Sequence, residues 1–152
     1  MKVRKKVIIP ILIAVLLGCV SGKILYESYE SKNNNDSKYF NSYLLQVGVY
    51  SDKHSLKQAT KNLHDYIVKE ENGKYYVYMG ITTSKKNADK IKKAYESKNI
   101  DLYIKEDNIN NVEFLSSLEQ YDVLLDSVTK DKDILSINEV ILSTYDEMVM
   151  KK

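Results

Sequence analysis

An internal repeat in the middle of the chain constrains its fold more than any other feature of the sequence. The repeated unit reads strand, helix, strand. Two such units predict an α+β fold, the split β-α-β arrangement, in which a four-stranded antiparallel sheet carries both helices on one face. The matched segments are 43–49 with 75–81 and 56–63 with 88–95, at a shift of 32 residues, and 65–70 with 101–106 at a slightly larger shift.

The strands can be placed from the alternation of apolar and polar residues and from the turn signals between them. Asn72-Gly73 lies between two β-prone runs, which is typical of a tight hairpin turn. Gly48 and Gly80 occupy matching positions in the repeat, which predicts a bulge or a close backbone approach at each. We expect strands near 43–50, 66–70, 74–81 and 101–105.

Alternation divides the predicted sheet into a face packed under the helices, with Val47, Val68, Val77 and Ile104, and an open face. Tyrosines beside amide and ammonium donors suit saccharides, whose C–H faces stack on rings while their hydroxyls hydrogen-bond. The alternative is that the tyrosines are only good strand formers, or that the C-terminal part of the chain covers them. The candidate binding residues on the open face are Gln46, Ile67, Tyr76, Tyr78, Tyr103 and Lys105, with Lys69 beside them.

Two short motifs lie in the first and third strands: Gln-Val-Gly-Val-Tyr at 46–50 and Tyr-Tyr-Val-Tyr-Met-Gly at 75–80. With the β-α-β-β-α-β order they resemble the SPOR domain (sporulation-related repeat) over 41–106. The resemblance implies binding to peptidoglycan glycan strands stripped of stem peptides, through the open sheet face and with Gln46 as the family's first-strand glutamine. It also implies an envelope protein of cell division or sporulation. The chain departs from the family at Tyr76, where a basic residue is usual, and at 81–82, where Pro-Phe is common.

The N-terminus combines a basic cluster with an apolar run. Four cationic residues precede Val7, and residues 7–26 contain one charge, Lys23. Twenty helical residues span about 30 Å, the thickness of a bilayer core. The sequence therefore predicts a cytoplasmic basic start and a transmembrane anchor at 1–26, with the rest of the chain outside the cytoplasmic membrane. The motif Leu-Leu-Gly-Cys ending at Cys19 leaves a lipidated anchor as an alternative.

Composition divides the chain further beyond the anchor. Residues 27–38 are polar and rich in turn formers, as in a flexible linker. The SPOR-like domain at 39–106 carries twelve lysines and eight acids. Residues 107–152 carry ten acids and four lysines, and their helical periodicity in two blocks predicts an acidic helical hairpin. This hairpin either packs against the sheet or binds a partner protein.

No catalytic or metal-ligating constellation stands out in the sequence. The one cysteine, Cys19, lies in the apolar run, and His54 and His64 are ten residues apart on a predicted helix and cannot share a ligand. We therefore expect no metal, no cofactor and no enzymatic activity. Beyond residue 26 the chain carries 18 lysines against 21 acids. This balance argues against a nucleic-acid partner, although the same topology also serves RNA binding.

The sequence thus predicts a non-catalytic module that binds peptidoglycan glycan strands and is held by one membrane pass at the outer face of the cytoplasmic membrane. The alternative is an envelope scaffold in which the hairpin at 107–152 binds an envelope protein and the sheet binds no glycan. The two hypotheses differ in whether the hairpin covers Gln46 and Tyr78.

Overall fold

The computed structural model describes residues 41–151. The predicted anchor at 7–26, its lipidation alternative at Cys19 and the linker at 27–38 lie outside these residues. Of the helices between 41 and 151, none has the length and apolar character needed to cross a bilayer. The elements are, in chain order, β1 (Asn41–Tyr50), α1 (Lys53–Thr60), β2 (Ile67–Glu71), β3 (Lys74–Thr82), α2 (Lys85–Glu96), β4 (Tyr103–Asn108), α3 (Val112–Ser127) and α4 (Asp131–Tyr145), which continues into a π-helical turn, Asp146–Met150.

The four strands form one antiparallel sheet in the order β2-β3-β1-β4. This confirms the four-stranded sheet predicted from the repeat. Asn72 and Gly73 have φ values of 52° and 72°, as the tight turn between β2 and β3 requires. β4 begins at Tyr103 rather than near 101, because its pairing with β1 starts opposite Gln46.

The pairing of β1 with β3 shifts register on both sides of Gln46. Gly48 pairs with Val77 and Val49 pairs with Tyr76, so Val47 is an extra residue on β1. The bulge predicted from Gly48 is therefore present. The bulge changes which face of the sheet the residues after it point to. Uninterrupted alternation would place Val49 on the same face as Val47. In the structure Val49 instead lies on the face of Tyr76 and is 42% exposed.

Helix α2 packs on the face of the sheet that carries Leu45 and Gly80. A Cβ at Gly80 would lie 3.0 Å from Leu45 Cδ1 and 3.2 Å from Ile91 Cγ2, so glycine permits the close approach of the helix to β3. Ser84 caps α2 by accepting a hydrogen bond from the Asn87 amide. The close approach predicted at Gly80 is confirmed.

Helix α1 packs less completely than its counterpart in the repeat. It has eight residues, of which Thr60 is buried. Among the apolar positions predicted to face the core, Leu56 and Leu63 are half-buried and Ala59 is exposed. The four residues predicted to lie under the helices are therefore not equally buried. Val77 is fully buried, whereas Val47, Val68 and Ile104 are half-buried.

Helices α3 and α4 form an αα-hairpin, the C-terminal hairpin, which shares one hydrophobic core with the sheet. β2 pairs with β3 no further than Ile67, opposite Tyr78. At the next residue, Asn138 Nδ2 of α4 donates to the Met79 carbonyl (2.7 Å) and to the Tyr95 hydroxyl of α2 (3.1 Å). Helix α4 thus bonds to the backbone of β3 where pairing with β2 has ended.

The buried carboxylate of Asp122 ties α3 to the turn between β3 and α2. Its oxygens accept hydrogen bonds from the Thr82 hydroxyl, the Thr83 amide (2.8 Å), the Thr83 hydroxyl (2.7 Å) and Asn87 Nδ2 (2.9 Å). Four donors satisfy the carboxylate at a position that is 7% exposed. The C-terminal hairpin is therefore held to the sheet by polar as well as apolar contacts.

We expect the free energy of unfolding to fall as the pH rises from about 10 to about 12. Burial raises the pKa of Tyr78 and of Tyr95 from 10.0 to about 12. Over this range the folded protein keeps two protons that the unfolded chain has released, so rising pH favours unfolding. Urea unfolding followed by circular dichroism at a series of pH values measures the effect. A slope as steep in a Tyr78→Phe/Tyr95→Phe variant would contradict this explanation.

Candidate functional site

Four of the predicted binding residues form one row across the sheet. Ile67 lies opposite Tyr78, Tyr78 opposite Gln46, and Gln46 opposite Tyr103. Residues directly opposite each other in neighbouring strands point to the same face. The row therefore defines one face of the sheet, called the Gln46 face.

The other two predicted residues, Tyr76 and Lys105, lie two positions from this row on β3 and β4, and so share its face. Lys105 Nζ lies 5.6 Å from the centroid of the Tyr76 ring, within range of a cation–π contact. Because β1 separates these two strands, the lysine side chain reaches across a strand to the tyrosine. The structure brings all six predicted residues to the Gln46 face.

The C-terminal hairpin covers one part of the Gln46 face. Ile67 is 7% and Tyr78 1% exposed. Ile67, Leu142 and Ser143 line the same cavity of about 350 Å³, and Tyr78 belongs to the same buried core cluster as Leu142 and Tyr145. The prediction that Ile67 and Tyr78 are exposed is therefore wrong, because the end of α4 packs over them.

The remaining part of the face, called the open part, is accessible. Tyr103 is 69% exposed, and Gln46, Tyr76 and Lys105 are half-buried. Val49, brought to this side by the bulge, adds an exposed apolar surface. Of the two residues that separate the sequence hypotheses, the hairpin buries Tyr78 but leaves Gln46 accessible.

Charged side chains from the two edge strands meet on the Gln46 face. Lys69 Nζ of β2 and Lys105 Nζ of β4 lie 3.7 and 3.8 Å from the same Asp107 oxygen, Oδ2. Lys69 Nζ also lies 3.6 Å from Glu71 Oε2. The lysine side chains are 37% and 38% exposed, so both ammonium groups keep contact with solvent and can donate hydrogen bonds to a ligand.

Two contributors to the face, Val49 and Asp107, are not among the residues predicted from the sequence. Simple alternation does not predict the face of Val49, because the bulge interrupts it. The sequence signal for that bulge is Gly48. Asp107 lies beyond the predicted end of the fourth strand. Its ion pair with Lys69 also requires the lysine side chain to extend across the sheet, which the sequence does not show. Its position two residues after Lys105 indicates the shared face only once the strand is known to continue to Asn108.

The open part of the face is suited to binding rather than to metal chemistry. Within residues 41–151, no group of three or more histidine, cysteine or acidic residues is placed to hold a metal ion. His54 and His64 are both exposed, and His54 contacts Gln58 through Nε2 at 2.9 Å. The face offers aromatic rings, an amide and two ammonium groups, which can stack on and hydrogen-bond to a polar ligand.

No protein-family model and no curated protein matches the sequence. Among solved structures, the solution structure of the peptidoglycan-binding domain of the B. subtilis cell wall lytic enzyme CwlC is similar, with 23% identity and a TM-score of 0.39. The similarity covers 49% of this chain and 99% of that domain. These values are too low to assign this chain to a family.

Proposed function

We propose that this protein is a non-catalytic module that binds the glycan strands of peptidoglycan on the open part of the Gln46 face. One observation carries the proposal. Tyr76, Gln46 and Tyr103 lie on three neighbouring strands, on one face, in the part that the C-terminal hairpin leaves accessible. Ile67 and Tyr78 support this surface from within the core and make no contact with the ligand.

The chemistry of the open part matches that of an amino-sugar polymer. The C–H faces of sugar rings stack on Tyr76 and Tyr103, and the Gln46 amide and the Lys105 ammonium donate to hydroxyl and acetamido oxygens. Contact with Lys105 restricts the motion of the Tyr76 ring. A ring that is already positioned loses less conformational entropy when a ligand binds.

The sequence resemblance to the SPOR domain supports peptidoglycan as the source of the glycan. The basic cluster before Val7 and the apolar run that follows it support a location at the outer face of the cytoplasmic membrane, with residues 7–26 as the anchor. Cell division, sporulation and cell-wall organisation are the processes in which such a module would act. Replacing Cys19 by serine would leave membrane attachment intact if residues 7–26 form the anchor. If the variant instead accumulated as an unprocessed precursor while the unmodified chain ran shorter and carried a lipid, the anchor would be a lipid.

A variant with both exposed tyrosines replaced, Tyr76→Ala/Tyr103→Ala, is expected to bind peptidoglycan at least about tenfold more weakly. Each ring lost from a stacking contact costs roughly 1–3 kcal/mol, by analogy with stacking on other ligands, and about 1.4 kcal/mol corresponds to a factor of ten. The measurement is co-sedimentation of the full chain, in neutral detergent, with purified peptidoglycan before and after amidase treatment. The unmodified chain should bind the amidase-treated material more tightly.

The matched control is Tyr66→Ala. Tyr66 is 37% exposed and precedes β2, outside the Gln46 face, so its loss should leave binding unchanged. Urea unfolding of each variant shows whether the fold is intact. Unchanged affinity in the folded double variant would exclude the Gln46 face as the glycan site.

The envelope scaffold remains a second candidate, favoured by the burial of Ile67 and Tyr78 beneath the hairpin. Val112 and Val123 of α3 are 80% and 57% exposed, and their separation of three turns places them on one side of that helix. A protein partner could bind this side. Loss of a defined envelope complex in a Val112→Ser/Val123→Ser variant, with glycan binding absent in the unmodified chain, would favour the scaffold.

A further inference from the structure

A stripe of three exposed lysines runs along helix α1. Lys53, Lys57 and Lys61 are four residues apart, and Lys61, the C-cap residue, retains helical φ and ψ values of −54° and −35°. At 1.5 Å of rise per residue, the three side chains leave the helix at steps of about 6 Å along its axis. All three lysines are exposed.

No described residue neutralises these charges. None of the ion pairs within 4.0 Å in residues 41–151 includes one of the three lysines, and the first turn of α1 contains no acidic residue. In the matching helix of the second repeat, Lys86 and Lys92 are in ion pairs, whereas Lys85 and Lys93 are not paired with any described residue. There Lys86 lies 2.8 Å from Asp126, and Lys92 lies 3.2 Å from Asp101.

Two features of this charge arrangement disfavour the helix that carries it. Lysines four residues apart repel each other, and Lys53 lies at the positive end of the helix dipole. Thr60 is the one buried residue of this helix, so packing compensates little. Two features act in the other direction: the Asp52 carboxylate caps the helix by accepting hydrogen bonds from two backbone amides of the first turn, and Lys57 lies in the last turn, where the dipole favours a positive charge. A ligand with negative charges along the stripe would offset the two unfavourable features.

A lipid surface fits this helix poorly. A helix that lies on a membrane inserts an exposed apolar side between the lipids. The leucines near the lysines, Leu56 in α1 and Leu63 just after it, are instead half-buried in the domain, and Leu63 packs against the core. A single line of evenly spaced ammonium groups fits a linear polymer whose negative groups recur along the chain.

We propose that Lys53, Lys57 and Lys61 bind a linear phosphate polymer, with one phosphate group near each ammonium group. Lysine binds phosphate as a point charge and needs no planar, bidentate geometry. Neutralising a polymer of phosphates releases condensed counterions, so the affinity falls steeply with salt concentration. None of the three lysines lies in the sheet, so the site is separate from the Gln46 face and does not depend on the proposed glycan binding.

The test uses the full chain in neutral detergent and end-labelled sodium polyphosphate as the probe, with binding followed by fluorescence anisotropy at several salt concentrations. In a Lys53→Gln/Lys57→Gln/Lys61→Gln variant we expect the affinity to fall at least about tenfold. The slope of log affinity against log salt should become shallower by about 2, because each lost phosphate contact on a flexible chain removes about 0.7. The variant keeps the basic residues at 2–6, so any binding there is a common background.

The matched control is Lys85→Gln/Lys93→Gln/Lys98→Gln. It removes the same charge from exposed positions in and just after α2 and should change the affinity less than about twofold. An equal loss in both triple variants would overturn the proposal, because it would show general attraction to a basic surface. Failure of the unmodified chain to bind polyphosphate would overturn it as well.

Two further measurements distinguish the remaining outcomes. If the α1 variant lost binding to phosphatidylglycerol vesicles but kept its affinity for polyphosphate, the stripe would be a lipid-binding surface and the proposal would be wrong. The urea midpoint of the α1 variant should stay close to that of the unmodified chain, because relief of the repulsion between the lysines offsets the loss of Lys57 from the last turn. Peptidoglycan co-sedimentation should not change, so a failure here is distinguishable from a failure of the glycan site.

Discussion

Replacing Asp122 by alanine is expected to lower the free energy of unfolding by roughly 3–5 kcal/mol, since hydrogen bonds to a charged group contribute more than neutral ones and a buried donor without a partner is costly. The variant removes an acceptor that serves Thr82, Thr83 and Asn87 together. Thr82 and Asn87 are fully buried, so their donors cannot turn to bulk water. Among the described residues, these donors keep only the backbone carbonyls of Ser84 and Asp122 as acceptors. Urea unfolding of the full chain, followed by circular dichroism, measures the loss.

The same helix offers a matched control in Asp126. Its carboxylate lies 2.8 Å from Lys86 Nζ, but the two side chains are 50% and 72% exposed. Exposed ion pairs contribute about 0–1 kcal/mol, so Asp126→Ala should change stability little. If the two alanine variants lost the same stability, the buried contacts of Asp122 would not be what holds α3 against the sheet.

The repeat made the sheet predictable because its information is local. Alternation across β1 and β3 and the Asn72-Gly73 turn are properties of short segments, and they predicted the strands and their hairpin, although the bulge at Val47 interrupts the alternation of β1. The helices of the C-terminal hairpin were predictable for the same reason. Their apolar residues recur with helical spacing on either side of a charged break at 129–133.

The position of the hairpin was not predictable, because it depends on contacts between distant residues. Asp122 meets Thr82 across 40 positions, and Asn138 meets Met79 across 59. The residues next to Asp122 and Asn138 in the sequence resemble those around a polar residue on a solvent-exposed helix face. The sequence therefore does not indicate that these two side chains are buried. The failure at Tyr78 has the same origin, since alternation assigns a residue to a face but does not show what covers that face.

Tyr78→Ala should therefore act on folding rather than directly on ligand binding. Removing a large buried aromatic side chain costs about 3–5 kcal/mol, and Tyr78 is among the largest fully buried residues of the core. Tyr76→Ala, two residues away on the same strand and face, removes a half-buried ring from the open part and should cost far less stability while weakening peptidoglycan binding. Urea unfolding and co-sedimentation measured on both variants separate the two roles.

Tyr78→Phe provides the sharper comparison, because it keeps the ring and removes only the hydroxyl. That hydroxyl is buried and has no hydrogen-bond partner among the described residues. An unpaired buried polar group costs about 1–3 kcal/mol, so the phenylalanine variant should be as stable as the unmodified chain or more stable, with unchanged peptidoglycan affinity. If phenylalanine instead weakened binding while stability was preserved, the Tyr78 hydroxyl would contact the ligand. The end of α4 would then have to move away from the Gln46 face when glycan binds.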